Sequence, residues 1–345
     1  MPKERGATVA LDGFGAERGF DVLAEGARLA AADGIAVRVF GPAELELRGE
    51  PGVEVIPTED WISNDEDAVS AVRSRRQASI VRAAADVAAG RADALVSVGS
   101  TGAAMAAATF GLRRLRGVQR PALAVQLPIP GRAVLFLDVG ANVAIRPAHL
   151  VQFAFLGAAF SEAVLGVRAP RVGLLSVGEE SGKGTDEVSA AHESLSAASG
   201  IRFLGNVEGR DIPAGVADVV VTDGFTGNIA LKLMEGTARL VVGAIRDAAR
   251  ANPLAAAGGA LMRPALGGLR RELDPDTTGG AILLGLRRIA VVGHGSSGAE
   301  GVANAIRLAA RSVDQDAVER TATLLERSGV TRRELADRAT ESESS

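Results

Sequence analysis

The chain has 345 residues, 47% of them hydrophobic, a net charge of -4 and no cysteine. That is enough apolar material for one large α/β unit or two smaller ones, while disulfides, thiolate metal sites and a cysteine nucleophile are excluded. With aromatics at 3% and none interleaved with basic residues, nothing draws the chain to nucleic acid.

Short β-branched runs alternate with longer helical patterns. Strands are predicted at 8–11, 36–40, 53–56, 94–98, 122–126, 134–138, 171–177, 219–222 and 289–292. Helices are predicted at 20–32, 66–89, 101–113, 147–165, 186–198, 226–250 and 300–312. Several strands are continuous apolar runs, as expected when both faces of a sheet are covered. The βαβα order argues for a largely parallel, doubly wound sheet. The most apolar stretch, 150–167, contains Gln152, Ser161 and Glu162, and reads as a buried helix. The chain enters strand-like TVALD with no signal peptide, so a cytoplasmic location is expected. We expect one α/β unit over 1–330, with 235–275 a helical hairpin for dimer or membrane contact and 331–345 a charged, disordered tail.

Unusual residues gather where strands enter helices, which is where open α/β sheets bind ligands. TVALD is followed by Gly13-Phe14-Gly15, ALVSV by Gly99-Ser100-Thr101-Gly102, and VLFLD by Val139-Gly140-Ala141-Asn142. VVVT is followed by Asp223-Gly224-Phe225-Thr226-Gly227-Asn228, and IAVV by Gly293-His294-Gly295-Ser296-Ser297-Gly298. Such junctions aim free N–H groups and a helix dipole at an anion. A bare turn needs glycine but not the Asp, Asn, Lys, Thr, Ser and His side chains found here, so these tips are expected to converge on one anion site.

The segment VGLLSVGEESGKGTDE imitates a P-loop, but Gly178 and Gly182 are one residue too close and Gly184 separates Lys183 from Thr185. The G-x-G-x-x-G match at 293–298 lacks the following strand and acidic residue of a dinucleotide site. Asp138, Asp223 and Glu180 match no metal-ligand spacing, and Asp138 and Asp223 equally well cap backbone amides; no metal is assigned. There is no G-x-S-x-G elbow. His149 and His192 read as surface or capped positions, whereas His294 sits at a glycine-rich strand end.

SVGSTGA, RPALAVQLP, LDVGANVAIRPAHLVQFA, PRVGLLSVGEESGKG, FLGNVEGRDI, VADVVVTDGFTGNIALKLMEG, GGAILLGL and HGSSGAEGVANAIR follow one another in this order. As an ordered set from about Thr8 to Val313 they resemble the acyl-acyl carrier protein:phosphate acyltransferase family. The resemblance implies a three-layer α/β/α sandwich of the phosphotransacetylase and isocitrate dehydrogenase type. It also implies transfer of an acyl group from acyl carrier protein to inorganic phosphate, a homodimer, peripheral membrane contact and no cofactor. Departures lie at Asp12-Gly13-Phe14-Gly15-Ala16-Glu17, where the family carries D-A-M-G-G-D, and at Ser100, Thr185, Gly298 and 62–65.

On this resemblance Ser100, Thr101 and Gly102 hold phosphate, and Lys183, Asn228 and His294 are the catalytic residues. Asn142, Glu180, Gly227 and Ser296 complete the substrate site. Arg113, Arg114 and Arg116 are expected to dock the acidic carrier protein. The alternatives are a phosphotransacetylase-like enzyme using a coenzyme A thioester and an NAD(P)-linked dehydrogenase of related fold.

Overall fold

The computed structural model describes residues 6–331 apart from 46, 48, 130, 273 and 274. The expected tail at 331–345 therefore lies, beyond Thr331, outside the described residues.

The first half of the chain runs β1 (Thr8–Asp12), α1 (Phe20–Ala32), β2 (Ala36–Gly41), β3 (Val53–Pro57), α2 (Ala68–Ser74), α3 (Ser79–Ala88), β4 (Ala94–Ser97) and α4 (Thr101–Leu112). The middle follows with β5 (Ala122–Ile129), β6 (Arg132–Leu137), α5 (Pro147–Ala163), β7 (Arg171–Leu175), α6 (Asp186–Ser196), β8 (Arg202–Val207), α7 (Asp211–Ala214) and β9 (Val219–Val221). The described residues end with α8 (Gly224–Ala248), α9 (Pro253–Glu272), β10 (Ala281–Leu284), β11 (Ile289–Val292), α10 (Ala299–Asp314) and α11 (Ala317–Arg327).

The eleven strands of the described residues form one sheet in the order β3-β2-β1-β4-β11-β10-β5-β6-β9-β7-β8. Alternation along each strand splits the core into two layers. Val9 and Leu11 point to the face covered by α1, α5 and α10, and Ala10 to the face covered by α3 and α4. Helices on both faces give the three-layer sandwich.

The predicted helix 66–89 is two helices. Arg75 leaves helical geometry (φ -100, ψ 76), its guanidinium bonds to Asp60 and Glu66, and Ser79 N–H donates to Asp60 O at 2.8 Å. These tertiary bonds outweigh local helix propensity. β8 and β10 were not predicted. The former is an edge strand without an apolar run, and the latter is a four-residue AILL run too short to type by periodicity.

Strand direction decides where the tips go. β2, β1, β4 and β11 run parallel to one another. β10 reverses against β11, β5 against β10, and β6 against β5. β9, β7 and β8 then run parallel to β6. Three reversals leave the β6-β9-β7-β8 half antiparallel to the β3-β2-β1-β4-β11 half. Register makes this concrete. Leu137 pairs with Ala124, Ala124 with Ile282, and Ile282 with Val291. β6 ends at Leu137 and β11 one residue beyond Val291, so the carboxyl ends of the two halves lie at nearly the same level, with the chain leaving them in opposite directions.

Of the 25 residues of α8 only Gly224 and Gly227 are buried. At 1.5 Å per residue the helix is about 37 Å long, so most of it projects beyond the sheet. Asn252 Oδ1 accepts from Ala255 N–H at 2.9 Å and starts α9, which folds back so that Gly259 lies against Ala249. Among the described residues no helix is long and apolar enough to cross a membrane.

Candidate active site

The carboxyl tips of β1, β4 and β11 form one cluster. Asp12, at the end of β1, is buried; Ser79 Oγ donates to its Oδ1 at 2.6 Å and Ser97 Oγ to its Oδ2 at 2.8 Å. The Ser97 hydroxyl in turn accepts from Gly99 N–H at 3.2 Å. Burial pushes the Asp12 carboxyl up to about 6, against the lowering effect of these donors. A Cβ on Gly99 would stand 2.7 Å from Phe14 O, and one on Gly15 (φ 86) 2.6 Å from Gly99 Cα. The two loops therefore touch backbone to backbone, which only glycine permits. Ser100 caps α4, its Oγ accepting from Ala103 N–H at 3.4 Å. Thr101 and Gly102 occupy the first helical turn, whose N–H groups have no intrahelical acceptor.

The His294 loop joins this cluster. Glu17 N–H donates to Gly295 O at 2.9 Å. Ser296 N–H approaches His294 Nδ1 at 3.4 Å and its Oγ lies 2.7 Å from the same nitrogen, which leaves the proton of the neutral ring on the exposed Nε2. Asp276 holds the loop from beneath, accepting from Ser297 Oγ and Gly298 N–H, both at 2.9 Å.

The tips of β6, β9 and β7 form a second cluster. Asp138 is fully buried; its Oδ1 accepts from Leu123, Gly140 and Ala141 N–H at 2.9–3.1 Å. Its Oδ2 accepts from Asn142 Nδ2 at 2.7 Å, and that amide also donates to Pro121 O at 2.7 Å. Burial raises the Asp138 carboxyl, and the donors oppose this. Asn142 is thus a positioning residue with its amide fully engaged. Gly227 is packed so tightly that a Cβ would fall 1.9 Å from Asp138 O. Asp223 caps α8, with Oδ1 accepting from Phe225 and Thr226 N–H at 2.9 Å. Asn228 follows in the first turn, half-buried and alongside Gly140.

Lys183 lies beside this cluster on a folded turn. Its N–H donates to Glu180 O at 3.0 Å, Ser176 Oγ donates to its carbonyl at 2.8 Å, and Asn206 Nδ2 donates to Glu180 O at 2.8 Å. The Lys183 and Glu180 side chains lie over Gly178 and are exposed.

The two clusters stand on halves of the sheet that run in opposite directions, and register brings their tips to nearly the same level, since Leu137, the last residue of β6, pairs through Ala124 and Ile282 with Val291, one residue before the end of β11. β11, which leads to His294, and β9, which leads to Asn228, are four strands apart in order.

The three predicted docking arginines sit at the far end of α4 from Thr101, all exposed. The Arg114 guanidinium bonds to Gln119 O, and Arg287 N–H and Nε donate to the carbonyls of Arg113 and Arg114 at 3.0 and 3.1 Å. Through Pro121 this segment adjoins Asn142, so it lies at the edge of the second cluster. Arg120, near the same run in sequence, and Arg146, Arg287 and Arg288, which the sequence did not single out, extend the same basic edge. Arg120 and Arg146 bear electrostatically on His149, whose burial lowers its pKa. Asp12, Asn206 and Asp276 were also missed as positioning groups, because each acts on residues distant in sequence. His149 accepts from Arg146 N–H at 3.1 Å and His192 Nδ1 lies 2.9 Å from Asn206 Oδ1.

A family model described as fatty acid synthesis protein matches residues 7–320. The chain belongs to this family. A protein of Elusimicrobium minutum named phosphate acyltransferase is 48% identical over 79% of this chain and 80% of its own length. One of the same name from a Geobacillus species is 42% identical over 90% of this chain and 96% of its own. The chain is an enzyme of the acyltransferase class. Its fold is shared with a phosphotransacetylase from Streptococcus pyogenes (TM-score 0.57, 17% identity, 91% of this chain and 94% of that one covered).

Proposed function

We propose that the enzyme transfers a fatty acyl group from acyl carrier protein to inorganic phosphate, supplying acyl phosphate for phospholipid synthesis. A phosphate oxygen attacks the thioester carbonyl carbon, the carbonyl oxygen takes the negative charge, the carbon–sulfur bond breaks, and the carrier thiolate leaves and is protonated. Phosphate is already a nucleophile at neutral pH, so the chain need supply only position and positive potential. The observation that carries this reading is the placing of exposed Lys183, Thr101 and His294 and half-buried Asn228 on strand tips braced by buried Asp12 and Asp138 and by half-buried Asp276.

Ser100, Thr101 and Gly102 bind phosphate at the start of α4. Lys183 offsets charge on the oxyanion, Asn228 donates to a phosphate or carbonyl oxygen, and Nε2–H of His294 stabilises the tetrahedral state or protonates the leaving sulfur. Asn142, Glu180, Gly227 and Ser296 position these groups. Arg113, Arg114 and Arg116, extended by Arg120, Arg146, Arg287 and Arg288, dock the acidic carrier protein beside the Lys183 cluster. The chain works as a homodimer through α8. The exposed Leu254, Leu261 and Met262 of α9, with Arg263, make peripheral contact with an anionic membrane from the cytoplasm.

The test supplies phosphate with palmitoyl-carrier protein and, separately, with palmitoyl-coenzyme A. Acyl phosphate from the carrier thioester at much the higher kcat/KM supports the reading. Preference for the coenzyme A thioester replaces it with phosphotransacetylase-like transfer.

A further inference from the structure

The turn that carries Lys183 is held from beneath by a side chain that only an irregular strand could aim there. β8 pairs with β7 in a register that slips between Val172 and Gly173, so Leu204 has no partner in β7 and β8 bulges at that point. Gly205, the next residue, has φ 101, a conformation open to glycine. In an unbroken strand Phe203 and Val207, four residues apart, would share a face. Here Phe203 packs on the core layer that holds Ala191 and Leu195 of α6, while Val207 lies in the other layer. The extra residue thus turns Asn206 to the Phe203 side, toward α6. There the His192 ring stands nearly perpendicular to that of Phe203, with centroids 5.3 Å apart, and its Nδ1 lies 2.9 Å from Asn206 Oδ1.

Asn206 is buried, and its Nδ2 donates to Glu180 O at 2.8 Å and reaches Lys183 O at 3.5 Å. Carbonyl oxygens only accept. The amide must therefore turn its NH2 to the two carbonyls and its oxygen to the imidazole, whose Nδ1 carries a hydrogen. We infer that His192 is a positioning residue for the proposed acyl transfer: it fixes the facing of the Asn206 amide, which holds the 180–183 turn and so aims Lys183. This rests on the role proposed for Lys183. With the Glu180 and Lys183 carbonyls drawn inward by Asn206, and the latter also by Ser176 Oγ at 2.8 Å, the Lys183 side chain is left on the outer side of the turn, over Gly178. Without the imidazole N–H, Asn206 Oδ1 is buried unpaired and nothing selects which end of the amide meets the turn. A side chain needed only for packing on Phe203 could be phenylalanine.

The test separates the ring from its hydrogen. His192→Phe keeps a ring against Phe203 and loses the N–H. His192→Asn loses the ring and keeps an N–H near the place of Nδ1, and His192→Gln is a second donor-keeping variant. The full-length proteins are assayed with palmitoyl-carrier protein and inorganic phosphate, melting temperatures are measured, and amide hydrogen exchange is followed across residues 176–184. His192→Phe is expected to lower kcat at least about tenfold with KM for the carrier thioester little changed, and to speed exchange at the Lys183 N–H. A donor-keeping variant is expected to retain about half or more of wild-type kcat and the slow exchange, even where its melting temperature falls below that of His192→Phe. Added to Lys183→Ala, His192→Phe is expected to cost no further activity, because its effect passes through Lys183. The inference is overturned if kcat follows melting temperature instead of the donor, if His192→Phe keeps wild-type kcat or wild-type exchange, or if it lowers activity as much in the Lys183→Ala background as in the wild type. A wild type that makes no acyl phosphate would remove the underlying reading of function, and the exchange comparison would still decide whether His192 holds the turn.

Discussion

Asp12→Asn isolates the energetics of the first strand tip. Both oxygens of Asp12 are occupied by hydroxyls, yet burial holds the carboxyl at about 6 against an ordinary 3.8. Between those values the folded chain holds a proton that the unfolded chain has lost. Stability therefore falls as pH rises through this window and levels off above about 6. At 1.36 kcal/mol per pH unit, the loss from Asp12 is on the order of 3 kcal/mol. The asparagine variant keeps a polar group against Ser79 and Ser97 without a proton to lose. Asp138 and His149 also titrate, but they are present in both chains and cancel in the comparison. Urea unfolding at several pH values between 4 and 7.5 reads the difference. Wild type is expected to lose more stability than the variant over this range, by roughly that amount. Parallel curves for the two proteins would refute the claim that a buried, desolvated carboxyl supports the Gly99 loop.

Further substitutions separate chemistry from scaffold. Lys183→Ala removes an exposed side chain whose turn is held by backbone bonds, so melting temperature is expected to stay put while turnover falls roughly 10²–10³-fold; near-normal turnover would remove Lys183 from the mechanism. Gly227→Ala places a methyl group where Asp138 O now sits, and is expected to cost about 3 kcal/mol or more of stability in thermal denaturation. Arg113→Glu combined with Arg116→Glu is expected to raise KM for the carrier thioester several-fold at low salt, with kcat little changed and the effect shrinking at high salt. An unchanged KM at low salt would place carrier docking elsewhere.

Much of this site is legible in the amino-acid sequence because strand-to-helix junctions advertise themselves. Lys183, Asn228, Thr101 and His294 all stand at glycine-rich tips, and the structure puts them on such tips. What escaped was direction. An apolar run reads the same whichever way its strand points, so the reversal between sheet halves left no trace in periodicity. One signal was available: the runs at 122–126 and 134–138 are too close for the dozen or more residues of a parallel crossover, and so had to form a hairpin. That hairpin, β5 to β6, is one of the three reversals that set the two halves of the sheet antiparallel. Asp276 and Asn206 were invisible for another reason. Each acts by bonding to backbone far away in sequence, at Gly298 and at Glu180, and no local pattern encodes such a pairing.

The central claim is most directly met by phosphorus NMR of the wild-type enzyme given palmitoyl-carrier protein and inorganic phosphate, with free carrier thiol measured in parallel. The account predicts a new acyl phosphate resonance that grows in step with thiol release. Thiol released without that resonance would mean that water, and not phosphate, takes the acyl group, and would contradict the account.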